Sequence, residues 1–406
     1  MANKLNLLKI ASGMKVHIKA LYPCDCRKLN VKRYNDFLSN NGYIISEDLK
    51  KAEIVIIWTC GFRNDYRENS IHVIHKILET TNAPILICGC LPEIDPDRID
   101  HLKNNNQCII IPWKEEDKYF SNLFTPKTQL SEIKRNYVEK KLIDDLDRYR
   151  QNKEKQPDRT FSDQFVKLFI SEGCNLNCSY CSEKRTFPPY QSYPFEELIG
   201  ACSNIIEKYN QYNLMLIADN VGEYGMDINS SLPELIHSLL AINDQVKIGI
   251  QNLNPAYFFK FFDDFEEFIK NDRMLHLRLP IQSASDKILK SMNRTYSKSD
   301  IERIFSFLTK VAYNDFSTDM ICGFPGETIE DYEETINFIL NFLPTYINLS
   351  AFMSSSTIPA GKLLNQISEE EKKKRVNNAE KIFSSKGIYC NTGSKSDKRR
   401  SFINSL

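Results

Sequence analysis

Apolar and polar positions switch between two periods along most of this chain. Short apolar runs at 15–21, 53–58 and 84–88 have the length and pattern of strands. Between them, 30–41 and 69–80 repeat apolar residues at helical spacing. The order βαβ implies a parallel sheet of Rossmann-like type. A stretch at 127–160 is charged and only partly helical in pattern, which reads as a solvated linker that Pro157 ends. From residue 161 the alternation resumes. Strand patterns lie at 165–171, 214–219, 246–251, 276–282, 317–323 and 346–353. Helical patterns at 194–209, 232–241, 255–270, 297–312 and 328–342 separate them. Such βα units suit an open, partial (β/α)6 barrel better than a closed eight-stranded one. A charged helix follows at 369–384, and no internal repeat or low-complexity tract interrupts the pattern.

The fold class is therefore α/β. The expected domains are 1–126, a linker at 127–160, a barrel at 161–385 and a basic tail at 386–406 that carries Lys386, Lys395, Lys398, Arg399 and Arg400.

Parallel strands put all their carboxyl ends on one sheet edge, where ligands bind. Each strand of the first domain is followed closely by a cysteine: Cys24, Cys60 and Cys90. Three loops can therefore gather three thiols. A free cysteine also packs as a small hydrophobe, but three in equivalent places weigh against coincidence. Cys26 and Cys88 are close neighbours that leave the assignment open. Cys108, Cys202, Cys322 and Cys390 read as structural.

The densest chemistry follows the strand at 165–171. There Cys174, Cys178 and Cys181 stand in a C-x3-C-x2-C spacing. Three thiolates on one loop can hold three irons of a [4Fe–4S] cluster and leave the fourth iron open. Zinc wants a fourth ligand or a histidine partner, and no histidine lies near this loop. The carboxyl ends of later barrel strands bring Asp219, Gln282 and the Gly323–Gly326 turn to the same edge.

Charge and composition narrow the picture. Lys plus Arg and Asp plus Glu each number 53, so the formal net charge is zero. No overall basic footprint of the kind nucleic-acid binders carry is present. No apolar run reaches the length of a membrane span, and the apolar segment within residues 1–12 is too short for a signal peptide. Twelve cysteines in such a chain read as reduced thiols, several of them ligands. The expected compartment is the cytoplasm.

The motifs resemble those of the radical S-adenosylmethionine (SAM) superfamily, and within it the methylthiotransferases. Gly173-Cys174-Asn175, with Tyr180 before Cys181, is similar to the family's cluster loop. Ser192 and Pro194 fall where the family has a serine and a proline. His276 to Ser283 and Met292-Asn-Arg-Thr-Tyr296 resemble its HLPxQSGS and MNRxY segments. Thr318 to Thr328 resembles TDxIxGFPGET, while Asn220, Tyr224 and Gly225 fit GQNxxxYG. The resemblance runs to about residue 385. Departures exist: Asn30 for an Asp, Ala218-Asp219 for Gly-Gln, Lys247 for an Arg and Thr295 for a Gly. Lys184 and Phe187-Pro188 replace a Pro and an Arg-Gly, and 352–360 is a shortened segment without its usual Arg. The usual C-terminal TRAM domain is not expected in the residues that remain.

The resemblance implies two [4Fe–4S] clusters. One would sit on Cys174, Cys178 and Cys181 and bind SAM at its open iron. The auxiliary one would sit on Cys24, Cys60 and Cys90, with Cys26 as the alternative to Cys24. Tyr180, Asp219, Gln282, Ser283, Arg294 and Gly323 are the implied cofactor-holding residues. Reductive cleavage of SAM would give a 5′-deoxyadenosyl radical, and a methylthio group, or bare sulfur, would be inserted at an unactivated C–H. The implied partners are an external flavodoxin- or ferredoxin-type electron donor and a peptide, protein or small-molecule substrate met by Lys184, Arg185 and Phe187. A tRNA adenosine is the alternative substrate. A non-catalytic iron–sulfur electron carrier is the alternative from another class, and it leaves Gln282 and 323–328 without a purpose.

Overall fold

Strands β1 (Lys15–Ala20), β3 (Ile54–Thr59) and β4 (Ile85–Gly89) form where the apolar runs predict them. Two short strands escape the pattern, β2 (Ile44–Ile45) and β5 (Cys108–Ile110). Together they make a parallel five-stranded sheet in the order β2-β1-β3-β4-β5. This computed structural model describes residues 10–21, 25–62, 64–133, 166–186, 188–355 and 357–392. The chain divides into two units, Met1–Tyr137 with Ser182–Pro188, and Val138–Cys181 with Pro189–Leu406.

In the first unit, β3 is buried along its whole length. Successive side chains point to opposite faces, so a strand covered on both faces reads as an unbroken apolar run. Ile54, Ile56 and Trp58 join Tyr34, Phe37 and Phe120 on one face. Val55 and Ile57 join Ile74, Ile85 and Ile99 on the other. The covering helices are α1 (Asp25–Asn40), α2 (Asn64–Thr80) and α3 (Glu116–Phe124). A buried tie fixes α1 to α3: Arg33 pairs with Glu116 at 3.0 Å, and the Tyr34 hydroxyl donates to the same carboxylate at 2.7 Å.

The second unit is built on β6 (Val166–Glu172), β8 (Asn213–Ala218), β9 (Lys247–Ile250), β10 (Met274–Arg278), β11 (Phe316–Cys322) and β12 (Tyr346–Ala351). These are the six expected barrel strands. Two more extend the sheet: β7 (Gln191–Ser192) pairs antiparallel with β6, and β13 (Tyr389–Asn391) pairs parallel with β12. The order is β13-β12-β11-β10-β9-β8-β6-β7. The sheet therefore runs past residue 385, and residues 389–391 of the expected tail form its last strand. The rest of that tail, from 393, and most of the expected linker, 134–160, lie outside the described residues.

Two local departures have clear causes. The helical pattern at 255–270 breaks at Phe261 (φ −112°, ψ 36°) into Pro255–Lys260 and Phe262–Lys270. The break lets Phe258 stack on Phe265 and turns Phe262 onto Phe307. Strand β10 stops at Arg278 rather than 282, because Pro280 has no N–H for the ladder. Gln282, at φ +67°, then makes only an isolated bridge to Met320.

Helix Ile329–Phe342 starts with a capping box. The Thr328 backbone N–H donates to Asp331 at 2.9 Å, and the Asp331 N–H donates to the Thr328 hydroxyl at 3.2 Å. The same carboxylate accepts from Ser285, the cap of helix Asp286–Ser291, at 2.7 Å and from Lys287 at 2.6 Å. Burial raises its pKa, but these donors outweigh burial and hold it at about 2, down from 3.8. Asp331→Ala is expected to cost about 1–3 kcal/mol in urea unfolding at neutral pH. The native carboxylate is depressed, so its contribution is complete above the unfolded value of 3.8. The wild-type advantage over the variant should shrink as pH falls from 3.8 towards about 2. An unchanged difference across that window would contradict this account.

Candidate cluster and cofactor site

The loop 173–181 leaves the carboxyl end of β6 with its backbone tied from outside. The Gly173 N–H donates to Asp219 at 2.9 Å, and the Asn175 N–H donates to Glu223 at 3.0 Å. Asp219 and the turn Val221–Glu223 follow directly from β8, the strand paired with β6. The far end of the loop is held by Ser179, whose N–H donates to the Met292 carbonyl at 3.0 Å and whose hydroxyl donates to the Ser291 carbonyl at 2.8 Å. Asn293 adds a bond to the Asn177 carbonyl at 2.8 Å. Gly173 takes φ +76°, a left-handed conformation that glycine adopts at no steric cost.

The thiols differ in surroundings. Burial, then the Glu223 carboxylate, push the half-buried Cys174 thiol up to about 12. Cys178 accepts an N–H from Arg294 at 3.4 Å. Among the described residues, no three Cys, His, Asp or Glu side chains close around one metal-ion position. A four-iron cluster does not ask for that, because its thiolates bind different irons.

The other expected cofactor residues are spread around this edge. Tyr180 packs against a small cluster of Ile288, Met292, Phe324 and Phe352. Gln282 is buried, its backbone N–H donating to Asp319 and its carbonyl accepting from Ile321. The Ser283 hydroxyl lies 3.2 Å from that of Thr335 and accepts from the Ser285 N–H, so it serves the junction of two helices. Gly323 donates its N–H to Glu327 at 2.7 Å, and a Cβ there would stand 2.4 Å from Lys372 Cγ.

Sequence reasoning missed two contributors. Asn220 directly follows Asp219 and is only 3% exposed, yet neither its amide nitrogen nor its oxygen has a hydrogen-bond partner. A buried amide left unpaired costs stability, so a polar ligand at this edge fits it. Its motif position was the available signal. The second contributor is the shortened segment at 352–360. Phe352, Ile358 and Ala360 join the cluster under Tyr180, and the Ala360 N–H donates to the Ser179 carbonyl at 2.9 Å. These residues form an apolar wall beside Tyr180. Lys247, another departure, sits at the opposite end of its strand, where it pairs with Asp272.

In the first unit, two of the three expected thiols come to one edge. Cys60 follows β3, and its N–H donates to Ser70 at 3.3 Å. Cys90 follows β4, and its N–H donates to the Thr59 carbonyl at 2.9 Å. A Cβ on Gly61 would lie 3.2 Å from the Cys90 carbonyl carbon, so the two loops abut. Arg67 braces them with a 2.7 Å bond to the Gly61 carbonyl and a pair with Asp95. Cys24 and the side chain of Cys26 lie outside the described residues. Cys88 points into the core beside Trp58 and Tyr34, and burial pushes its thiol well up. Cys108, Cys202, Cys322 and Cys390 are all buried in apolar clusters. Of the substrate candidates, Lys184 and the exposed Arg185 form the turn Glu183–Arg185, and Arg185 donates to the Glu93 carbonyl at 2.9 Å. Phe187 lies outside the described residues. Among the described residues, no helix is long and apolar enough to cross a membrane.

Comparison with known proteins agrees with this two-part organisation. Residues 168–339 match the Radical SAM superfamily, and residues 15–110 match the Uncharacterized protein family UPF0004. The human threonylcarbamoyladenosine tRNA methylthiotransferase is 28% identical over 87% of this chain and 59% of its own length. The probable threonylcarbamoyladenosine tRNA methylthiotransferase of Methanocaldococcus jannaschii is 28% identical over 93% of this chain and 84% of its own. The ribosomal protein uS12 methylthiotransferase RimO of Protochlamydia amoebophila is 27% identical, covering 82% of this chain and 69% of its own. The chain spans 59–62% of the length of the vertebrate relatives it matches. Among solved structures, the radical SAM methyltransferase TsrM from Kitasatospora setae, with tryptophan and a SAM analog bound, aligns with a TM-score of 0.60. It does so at 11% identity over 86% of this chain and 75% of that one, a likeness of fold alone.

The closest approach in the first unit gives a direct test of its cysteine edge. Gly89 takes φ +93°, and a Cβ there would stand 2.4 Å from the Thr59 carbonyl oxygen. Gly89→Ala is expected to lose at least about 2 kcal/mol in chemical unfolding, from left-handed strain and the clash. A loss below about 0.5 kcal/mol would show that the two strands part easily there.

Proposed function

We propose, for a chain that belongs to the radical SAM methylthiotransferase family, that it inserts a methylthio group at an unactivated C–H of a macromolecular substrate. The observation that carries this reading is the braced three-thiol loop at the β6 edge, in one chain with the abutting Cys60 and Cys90 loops. Cys174, Cys178 and Cys181 would hold the SAM-binding [4Fe–4S] cluster. Cys60 and Cys90, with Cys24, would hold the auxiliary one. When bound, these groups and SAM supply the one-electron chemistry that makes a carbon radical and delivers sulfur.

The chain's own residues bind and orient. Asp219 and Glu223 fix the loop backbone by accepting the Gly173 and Asn175 N–H groups. Asn220 offers a donor and an acceptor, side by side, to a polar group of SAM. Tyr180 and the wall of Phe352, Ile358 and Ala360 close the loop's flank with apolar surface, which keeps water from that side. An external one-electron donor completes the system.

Substrate class is where the supports divide. The neutral net charge favours a peptide or protein side chain over a polyanion. The relatives named for threonylcarbamoyladenosine tRNA favour a tRNA adenosine. Incubation with each substrate class, followed by mass measurement after labelled methyl-SAM, decides between them. It also separates methylthio transfer from bare sulfur transfer.

Two cysteine variants test the division of labour. Cys174→Ala is expected to abolish 5′-deoxyadenosine formation. Cys60→Ala should keep 5′-deoxyadenosine formation and stop sulfur transfer. Full methylthio product from Cys60→Ala would remove the auxiliary-cluster assignment.

A further inference from the structure

The guanidinium of Arg294 faces one thiol of the loop and two neutral oxygens. Its Nη1 donates to Cys178 Sγ at 3.4 Å, its Nη2 to the Pro280 carbonyl at 2.7 Å, and its Nε to the Tyr296 hydroxyl at 2.8 Å. The Tyr296 ring also lies under the guanidinium, 5.0 Å from its centre, and its hydroxyl is itself fixed by a 2.7 Å bond to the Ile281 carbonyl. Two neutral oxygens therefore set the direction of the fork, and the third arm meets sulfur.

The charge is the informative part. Arginine stays protonated in proteins. Arg294 is partly buried, and among the described residues no ion pair joins it to a carboxylate. A desolvated cation needs a compensating anion. Among the described residues, the partner of its fork that can carry negative charge is the sulfur of Cys178, which is anionic when it ligates metal. Loop and arginine thus make one electrostatic unit.

We infer that Arg294 is a positioning residue that sets the reducibility of the cluster on Cys174, Cys178 and Cys181, through its N–H···S bond and its charge. The inference rests on the proposed cluster assignment. Hydrogen bonds to cluster sulfurs and local charge tune iron–sulfur potentials. A positive donor favours the reduced, more negative state. It raises the potential and eases delivery of the electron that SAM cleavage consumes.

The test is an EPR-monitored redox titration of the reconstituted full chain, without SAM. Cys60→Ala and Cys90→Ala are included in the parent so that one cluster signal remains. Arg294→Gln is expected to lower the reduced-to-oxidised ratio at a fixed potential about tenfold, which is 59 mV for one electron. Arg294→Lys keeps the charge and loses the fork, so it should lower the ratio less. Equal midpoints for the parent and both variants, at equal iron content, would overturn the inference. Should Arg294→Gln fail to retain iron, the Arg294→Lys midpoint decides: a lower value supports the role and an unchanged one refutes it. A parent without any cluster signal would instead refute the cluster assignment itself.

Discussion

A three-thiol loop has no rigidity of its own, so it depends on hydrogen bonds supplied by neighbouring strands. Asp219 and Glu223 receive the N–H groups of Gly173 and Asn175, while Ser291 and Met292 receive Ser179. This works because β6 and β8 run parallel, which brings both strand ends and their loops to one edge. An antiparallel pair would send the second loop to the far edge. The first unit relies on the same polarity: β3 and β4 lie side by side, and Gly89 and Gly61 let the Cys60 and Cys90 loops touch.

Electrostatics around the three-thiol loop are uneven. Acidic groups, Asp219 and Glu223, gather at Cys174, and a guanidinium meets Cys178. The carboxylates serve the backbone, and the cation serves a sulfur. Held this way, the loop presents its thiols with little freedom to rearrange, which limits the ordering cost of assembling a cofactor on it.

Much of this was legible in the sequence, because cysteine spacing and strand periodicity are local signals. All six barrel strands and the three strands that precede Cys24, Cys60 and Cys90 follow from the alternation of apolar runs. What escaped was non-local or short. Strands β2, β5, β7 and β13 have two or three residues each, too few to show a period. The break at Phe261 follows from aromatic packing on Phe307 and Phe265, partners the helical pattern does not reveal. The bond from Arg294 to Cys178 spans 116 positions. Its motif marked Arg294 as important, and only the fold shows which atom it faces. Asn220 was visible as part of a motif, but its unpaired amide appears only once its neighbours are placed.

The central claim is that one chain builds two cluster sites. Anaerobic reconstitution followed by iron and sulfide counting tests it most directly. The account predicts about eight irons per chain, falling to about four when Cys24, Cys60 and Cys90 are replaced together and likewise when Cys174, Cys178 and Cys181 are. About four irons in the unaltered chain, insensitive to the first set of replacements, would contradict it.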